Sequence, residues 1–457
     1  MHCFIKFLLN TFIYIIAVYG GFCAVAHACE SNEIDVFGDG SQCKTTKFTI
    51  TTIELVANDE FTFYISAAGT FYIDCGTNGT LSGNGVSGKK IRRIYTSNDS
   101  YTCTYTTDGT KNIRLSGLAT EYNSGVNMAT IKFGNSDTTY DATPELVYSV
   151  SGSLGALFPT LGQSSTQKPN FIHLFKGASN LTSISNNLFS GITSGVSVMF
   201  LSAFQDCNAL SEIPAGLFDS IQTPAQSNMF RDTFKNCTSL NNLPSGLFAG
   251  ITGAADNLFR GTFTGCSGLQ SIPSNLFSGL SGAANSMFLQ TFVGCSSLNE
   301  IPYGLFDGVT GSAAHLFQDT FRSCTSLTSI PDRLFSGITD AATYEFQQTF
   351  IFCTNLRGYI PASLFAGLNN SGKYDTYMMS GTFGNTSMLT KCPTGTHQFV
   401  TGYESYWEGR VACEPNTITI NWDGAESGTC TYGGTITTPT TPPTRRGYTF
   451  VGWTFEN

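Results

Sequence analysis

A motif of about 29 residues recurs through the middle of the chain, and it restricts the possible folds more than any other feature. The pair Leu-Phe recurs from Leu188 to Leu364 at steps of 29, 30, 29, 29, 29 and 30 residues. A second motif, Phe-x-x-Cys, keeps this period from Phe204 to Cys353, and degenerate copies lie on both sides. Two independent motifs with one period predict a series of stacked units.

One unit, Cys237 to Phe263, suggests a strand, a turn and a helix. Residues 237–244 form a short segment predicted to be extended, whereas residues 254–263 place Leu258, Phe259 and Phe263 on one helical face. A single unit cannot bury enough apolar surface to fold alone, so neighbours must share a core. The prediction is an α/β repeat solenoid of the leucine-rich-repeat type, with parallel strands on one face and about eight units over residues 171–390.

The repeat resembles the BspA-like leucine-rich repeats of microbial surface proteins. The likeness lies in the period, the Leu-x-x-Ile-Pro core and the Phe-x-x-Cys motif, as in TFTGCSGLQSIP from Thr262 to Pro273. It implies a parallel-strand solenoid exposed on a cell surface, often in adhesion. This chain departs from the family in having a longer unit, with Leu-Phe-x-Gly in place of a second short strand.

Cysteine occurs once per repeat, at one position. Metal binding would require cysteine pairs a few residues apart or a nearby histidine, so the pattern favours small buried thiols with a structural role. This cysteine column comprises Cys207, Cys237, Cys266, Cys295, Cys324 and Cys353. Outside the repeats, the pairs Cys29–Cys43, Cys75–Cys103 and Cys392–Cys413 each lie within one module, which predicts three disulfides in an exported chain and leaves Cys430 over.

The region before the repeats alternates apolar and polar side chains between turns rich in Gly, Asn and Asp. This pattern predicts a β-sandwich-like domain over residues 29–150, followed by a linker over 151–170. The segments from Thr70 to Gly76 and from Tyr101 to Tyr105 resemble PKD-like surface domains, although Cys75 stands where that family has an aromatic residue.

The region after the repeats is expected to hold two small modules. Residues 391–415 are predicted to form a disulfide loop with an aromatic cluster. Residues 416–457 resemble the Listeria-Bacteroides repeat, a β-grasp-like module, in the sequence RGYTFVGW from Arg446 to Trp453. That family continues with another strand, whereas this chain stops four residues after Trp453, so we expect a fragment of a longer surface protein.

Residues 1–28 predict a secretory signal peptide, with Lys6, an apolar run and small residues before Ala28. A membrane-anchoring helix and a lipid anchor on Cys29 are the alternatives. No later stretch has 18 consecutive apolar residues, so the mature chain is expected to lack a membrane span and to lie outside the cell or on a bacterial surface or envelope. A net charge of −9 argues against a nucleic-acid partner.

No pattern typical of catalysis or of a bound cofactor or metal emerges. His173, His315 and His397 are scattered without metal spacing. The sequence GNGVSG from Gly83 to Gly88 matches a dinucleotide-binding motif in its letters, but no helical pattern follows, so a hairpin tip is favoured. Asp39-Gly40 and Asp108-Gly109 are expected to be turns more often than calcium ligands.

The remaining candidate is a polar column beside the predicted strands. It comprises Ser183, Glu212, Asn242, Ser271, Glu300 and Ser329, with the polar neighbours Thr182, Ser211, Asn241, Gln270, Asn299 and Thr328. Such side chains suit hydrogen bonding to an extracellular protein or glycan, although ordinary solvated strand positions would look the same. The sequence therefore predicts a non-enzymatic adhesin or recognition protein, with a structural envelope or spacer protein without a dedicated ligand as the alternative.

Overall fold

The computed structural model describes most of the chain before residue 387. The described ranges are 29–123, 125, 128–136, 142–357, 360–361, 364–365, 367–368 and 377–386, together with short strands inside 8–26 and 418–430. Among these residues, no helix is long and apolar enough to cross a membrane.

The N-terminal part contains three small antiparallel pairs. They are β1 (Leu8–Leu9) with β2 (Phe12–Ile13), β3 (Ile15–Tyr19) with β4 (Phe22–Ala26), and β5 (Glu33–Asp35) with β6 (Cys43–Thr45). The predicted disulfide Cys29–Cys43 is present and closes the segment that holds β5 and β6. We call residues 29–47 the N-terminal hairpin.

Two antiparallel sheets follow the hairpin. Their strands are β7 (Phe48–Leu55), β8 (Glu60–Ile65), β9 (Ala68–Asp74), β10 (Gly79–Gly83), β11 (Val86–Ser87), β12 (Lys90–Arg93), β13 (Asp99–Tyr105), β14 (Gly109–Glu121), β15 (Ile131–Lys132) and β16 (Val147–Gly152). The four-stranded sheet has the order β10-β13-β8-β15, and the six-stranded sheet has the order β11-β12-β9-β14-β7-β16.

Alternating side chains explain how these two sheets share a core. Phe48 and Ile50 of β7 and Phe61 and Phe63 of β8 are fully buried, while their neighbours along each strand are partly exposed. The predicted disulfide Cys75–Cys103 is also present; it joins the residue after β9 to β13, and therefore ties one sheet to the other.

The repeats form a stack of turns, which we call the repeat stack (described residues of 171–386). Alternate backbone amides bond within a unit and between units. The amide of Met229 donates to the carbonyl of Gln226 (3.2 Å), three residues back, whereas the amide of Phe230 donates to the carbonyl of Leu258 (3.0 Å) in the next unit. Each unit thus uses its neighbour to satisfy half of these backbone groups.

The predicted leucine-rich-repeat α/β solenoid with parallel strands is wrong. The described residues contain no α-helix, only the 3₁₀ turns η1 (Pro144–Leu146) and η2 (Ser165–Gln167). The extended sheets are antiparallel, and the described strands make one parallel pair, the two-residue strands β17 (Thr223–Pro224) and β18 (Ile251–Thr252).

The physical reason is a left-handed residue at every fourth position, within the segment predicted to be helical and just after it. Asn257, Gly261 and Gly265 have φ values of 55°, 63° and 74°, which no α-helix accommodates. Asn and Gly are the residues that adopt this conformation most readily. Phe259 and Phe263 still face one way, because a four-residue turn repeat shares the helical spacing of four.

Three phenylalanine columns run through the core of the repeat stack, among buried leucine, isoleucine and cysteine side chains. Adjacent rings within each column stack with centroids 5.2–6.1 Å apart. Phe133, from the core of the two sheets, stacks on Phe175, the first ring of one column, at 5.3 Å. The sheets and the repeat stack therefore share one continuous core.

The predicted C-terminal modules, 391–415 and 416–457, lie outside the described residues, as does the predicted disulfide Cys392–Cys413. The exceptions are β19 (Ile418–Ile420) and β20 (Gly428–Cys430), which pair in antiparallel fashion.

Candidate functional site: the polar column

The six residues of the polar column occupy equivalent positions in successive units. Glu212, Asn242 and Ser271 are linked by isolated parallel bridges from unit to unit. Five of the six are exposed and Ser271 is half-buried. The sequence therefore identified one ordered surface feature, although its backbone forms single bridges and not the predicted strands.

The local sequence explains why these residues face outward. Leu240 and Leu243 are buried, and Asn241 and Asn242 between them are exposed. The backbone on this side is held between units, since the amide of Asn241 donates to the carbonyl of Ser211 at 3.2 Å. Gln270, Asn299 and Thr328 make the equivalent bond, so the exposed side chains of these units stand on a backbone that is tied to the preceding unit.

The polar column begins at the edge of the six-stranded sheet, which the sequence did not reveal. Ser149 of the edge strand β16 forms a parallel bridge with Ser183. The amide of Thr182 donates to the carbonyl of Tyr148 (2.8 Å), and the amide of Val150 donates to the carbonyl of Ser183 (3.1 Å). The first unit of the column is therefore hydrogen-bonded to the edge of the six-stranded sheet.

The side chains of the column offer both hydrogen-bond donors and acceptors. The Ser271 hydroxyl donates to Oδ1 of Asn242 at 2.9 Å, which orients the Asn242 amide. Glu212 and Glu300 are exposed, and within the described part of the chain neither carboxylate joins an ion pair. The surface is polar, with one carboxylate in every third unit.

The six cysteines of the cysteine column are free and fully buried. Each thiol donates to the carbonyl of a phenylalanine in the preceding unit, at 3.0–3.4 Å. Burial raises the pKa of the thiols of Cys266 and Cys353 to about 12, and it raises those of the other four as well. Because the thiolate is the reactive form, these side chains are chemically inert in the fold.

A column of buried threonines, which the sequence analysis did not predict, makes the same kind of inter-unit hydrogen bond beside the cysteines. Thr233, Thr262, Thr291, Thr320, Thr349 and Thr382 each donate to a phenylalanine carbonyl of the preceding unit, at 2.8–3.0 Å. The signal in the sequence is the recurrence of Thr directly before the Phe of Phe-x-x-Cys.

The other candidate groups have ordinary partners. Cys29, Glu33 and Cys43 are the one cluster with metal-like spacing among the described residues, but both cysteines are in the disulfide. Nδ1 of His315 lies 2.6 Å from Oε1 of Gln318, and His397 lies outside the described residues. Asp39 accepts the amide of Ser41 (2.8 Å) within its own turn.

Two further motifs are turns. Asp108 accepts the amide of Ala57 at 2.7 Å, so one oxygen of its carboxylate serves the backbone. The glycine-rich sequence connects β10 to β11, and Gly85 and Gly88 have φ values of 72° and 60°. A strand follows where dinucleotide binding requires the N-terminus of a helix.

Glu345 is the most unusual ionisable side chain of the repeat stack. It stands directly before a core phenylalanine and is fully buried; the equivalent residues of other units are Met199, Met229, Leu258, Met287 and Leu316. Its carboxyl oxygens accept the amides of Ala313 and Ala342, both at 3.2 Å. Burial raises the pKa of this carboxyl to about 8.

No family model, no curated protein and no solved structure matches the chain.

Proposed function

We propose that this chain is a non-catalytic binding protein of the cell surface, which recognises an extracellular protein or glycan through the polar column. The observation that carries the proposal is the continuity of the column. Its side chains are exposed or half-buried in successive units, on a backbone that bonds to β16 at Ser183 and is bonded from unit to unit between Ser211 and Thr328. A preorganised row of this kind loses little conformational freedom when a ligand binds.

An extended ligand suits this geometry. A ligand that lies along the stack meets the same position in each unit, so weak contacts add up through their high effective concentration. Hydroxyl, amide and carboxylate groups of the column match the hydroxyls of a glycan or the backbone of an extended peptide.

An extracellular location is part of the proposal. The apolar segment within residues 1–28 supports export, and the two disulfides near the N-terminus are typical of an oxidising compartment. The likeness of the repeat motif to BspA-like surface proteins supports the same location.

The test is a charge reversal on the column. Glu212→Lys combined with Glu300→Lys should weaken binding to cultured host cells or matrix components by about tenfold or more, because two ammonium groups, which only donate hydrogen bonds, would replace two carboxylate acceptors. Glu54→Lys combined with Glu121→Lys is the matched control, since both glutamates are exposed on the N-terminal sheets. Equal binding by the column variant and the wild type would refute the column as the site.

The continuous core favours a spacer in the envelope as the second candidate function. Phe133 stacks on Phe175, so the sheets and the repeat stack are joined through packed rings. A spacer needs this rigidity and no ligand. Ordered self-assembly of the purified protein, together with a blank binding screen against cells, matrix proteins and glycans, would favour this candidate over the first.

A further inference from the structure

The N-terminal hairpin covers only part of the outer face of the six-stranded sheet. Ser116 Oγ of β14 donates to the carbonyl of Thr45 (2.6 Å), and Arg114 donates to the carbonyl of Ser31 (3.0 Å), which holds the hairpin in place. Beside it remains an open groove of about 450 Å³, here called the hairpin groove. The groove is shallow and open to solvent, so a ligand would lie along the sheet surface.

A lysine in this groove has its ammonium among backbone carbonyls. Lys47 Nζ donates to the carbonyls of Gly117 (2.7 Å) and Ala156 (2.9 Å), and burial lowers the pKa of this amine. No carboxylate contacts it within the described part of the chain. An ammonium has three protons to donate, so one remains for a further acceptor. A partly buried charge without a counter-charge favours an anion at this point.

Other cations surround the groove. Lys44 Nζ lies over the ring of Tyr72, 5.2 Å from its centroid. The register of β12 on β9 places Lys90 opposite Tyr72 and Arg92 opposite Thr70.

The carboxylate of this face is already engaged. Asp74 of β9 pairs with Arg114 and with Lys89 (3.3 Å), so it does not neutralise the groove. No carboxylate lines the groove itself. This positive surface contrasts with the net charge of −9 of the whole chain.

The rest of the lining is suited to a sugar ring. Leu118, on the outer face of β14, is 47% exposed although it is large and apolar. The Thr70 and Thr120 side chains supply hydroxyls beside it. Sugars combine an apolar ring face with hydroxyls, and their acidic derivatives add a carboxylate or sulfate.

We propose that the hairpin groove binds an acidic saccharide, whose anionic group lies between Lys44 and Lys47 while its ring rests against Leu118. This site is separate from the polar column and needs no catalysis.

The test uses a trisaccharide of galacturonic acid as the probe, measured by isothermal titration calorimetry with the full chain. We expect saturable binding that weakens as the NaCl concentration rises, because charge-assisted contacts are screened. The methyl ester of the same trisaccharide, which lacks the charge, should bind at least about tenfold more weakly. A trisaccharide whose one charged group is a sulfate tests the nature of the anion: binding equal to that of the carboxylate indicates a general preference for acidic saccharides, and weaker binding indicates a preference for the carboxylate.

Substitutions locate the site. Lys44→Gln and Lys47→Met should each weaken binding by about tenfold, whereas Lys235→Met on the repeat stack should have no effect. Leu118→Asp introduces a like charge at an exposed position, so it tests the groove even where Lys47→Met disturbs folding. The charge-reversed polar column should bind the probe normally, which separates this proposal from the proposed function.

Three results would overturn the proposal. They are equal binding of the ester and the acid, unchanged binding by the Lys44→Gln and Leu118→Asp variants, and preferential binding of an acidic peptide or an oligonucleotide of equal charge.

Discussion

The buried carboxyl of Glu345 should make the stability of the repeat stack depend on pH. In the folded protein, burial raises its pKa to about 8, from the ordinary value of 4.5 expected in the unfolded chain. Between these two values the unfolded chain releases the proton while the folded chain keeps it. Stability therefore falls as pH rises through this window, and the contribution present below the unfolded pKa is lost once pH passes the folded pKa.

The magnitude follows from the width of the window. Each pKa unit corresponds to about 1.4 kcal/mol, so the free energy of unfolding should fall by about 3 kcal/mol between about pH 4.5 and pH 7. Asp340 adds to the effect by repulsion, and the amides of Ala313 and Ala342 oppose it by favouring the carboxylate. The total is a large part of the stability of an ordinary domain.

The assay compares the wild type with Glu345→Gln and Glu345→Met. Glutamine keeps the shape without titrating, and methionine is the residue found at this position in other units, for example at Met229 and Met287. Urea unfolding followed at several pH values gives the overall stability, and hydrogen exchange of the peptide 340–353 gives the local stability.

The decisive quantity is the difference between wild type and variant as a function of pH. As pH rises from about 5 to about 8, we expect the free energy of unfolding of the variants to increase relative to that of the wild type, by about 1.4 kcal/mol per pH unit. The free energy of unfolding of Glu212→Gln, a change at an exposed position, should depend on pH in the same way as that of the wild type. A pH-independent difference between wild type and Glu345→Gln would refute the reasoning.

Three more predictions concern the repeat stack. Phe259→Ala should lower the free energy of unfolding by about 3–5 kcal/mol, because the Phe259 ring stacks between two others. Tyr303 is 63% exposed, so Tyr303→Ala should change the free energy of unfolding by less than about 0.5 kcal/mol. Urea denaturation measures both. Asn257→Val should lower the free energy of unfolding by about 1–2 kcal/mol, because a β-branched residue disfavours the φ of 55° at this position, whereas Asn257→Gly should leave it nearly unchanged. Equal melting temperatures for the two variants would contradict this. Iodoacetamide should leave the six cysteines of the column unlabelled in the native protein and label them in urea, as peptide mass spectrometry would show; native labelling would contradict their burial.

Some features could be predicted because covalent chemistry and local identity encode them. The disulfides Cys29–Cys43 and Cys75–Cys103 join cysteines close in sequence. The period of 29 residues brings equivalent side chains into columns, whatever backbone carries them. For this reason the residues of the polar column could be named before their backbone conformation was known.

Other features depend on distant parts of the chain. The bridge between Ser149 and Ser183 joins a sheet edge to the first unit, and no local pattern announces it. The hairpin groove exists because residues 29–47 cross β14, and the interior position of Glu345 depends on the units on either side. Each of these features depends on contacts between residues that are far apart in the sequence, and a periodic sequence pattern carries no information about such contacts.

The sequence by itself determined the repeat, its columns and the residues that form the core. Tertiary structure decided whether each unit contains a helix or a chain of turns. The spacing of Phe259 and Phe263 fits both, and the choice depends on where the backbone amides find acceptors. Asn257, Gly261 and Gly265 permit the left-handed turns, and the carbonyls of the next unit then bind the amides that a helix would have satisfied internally.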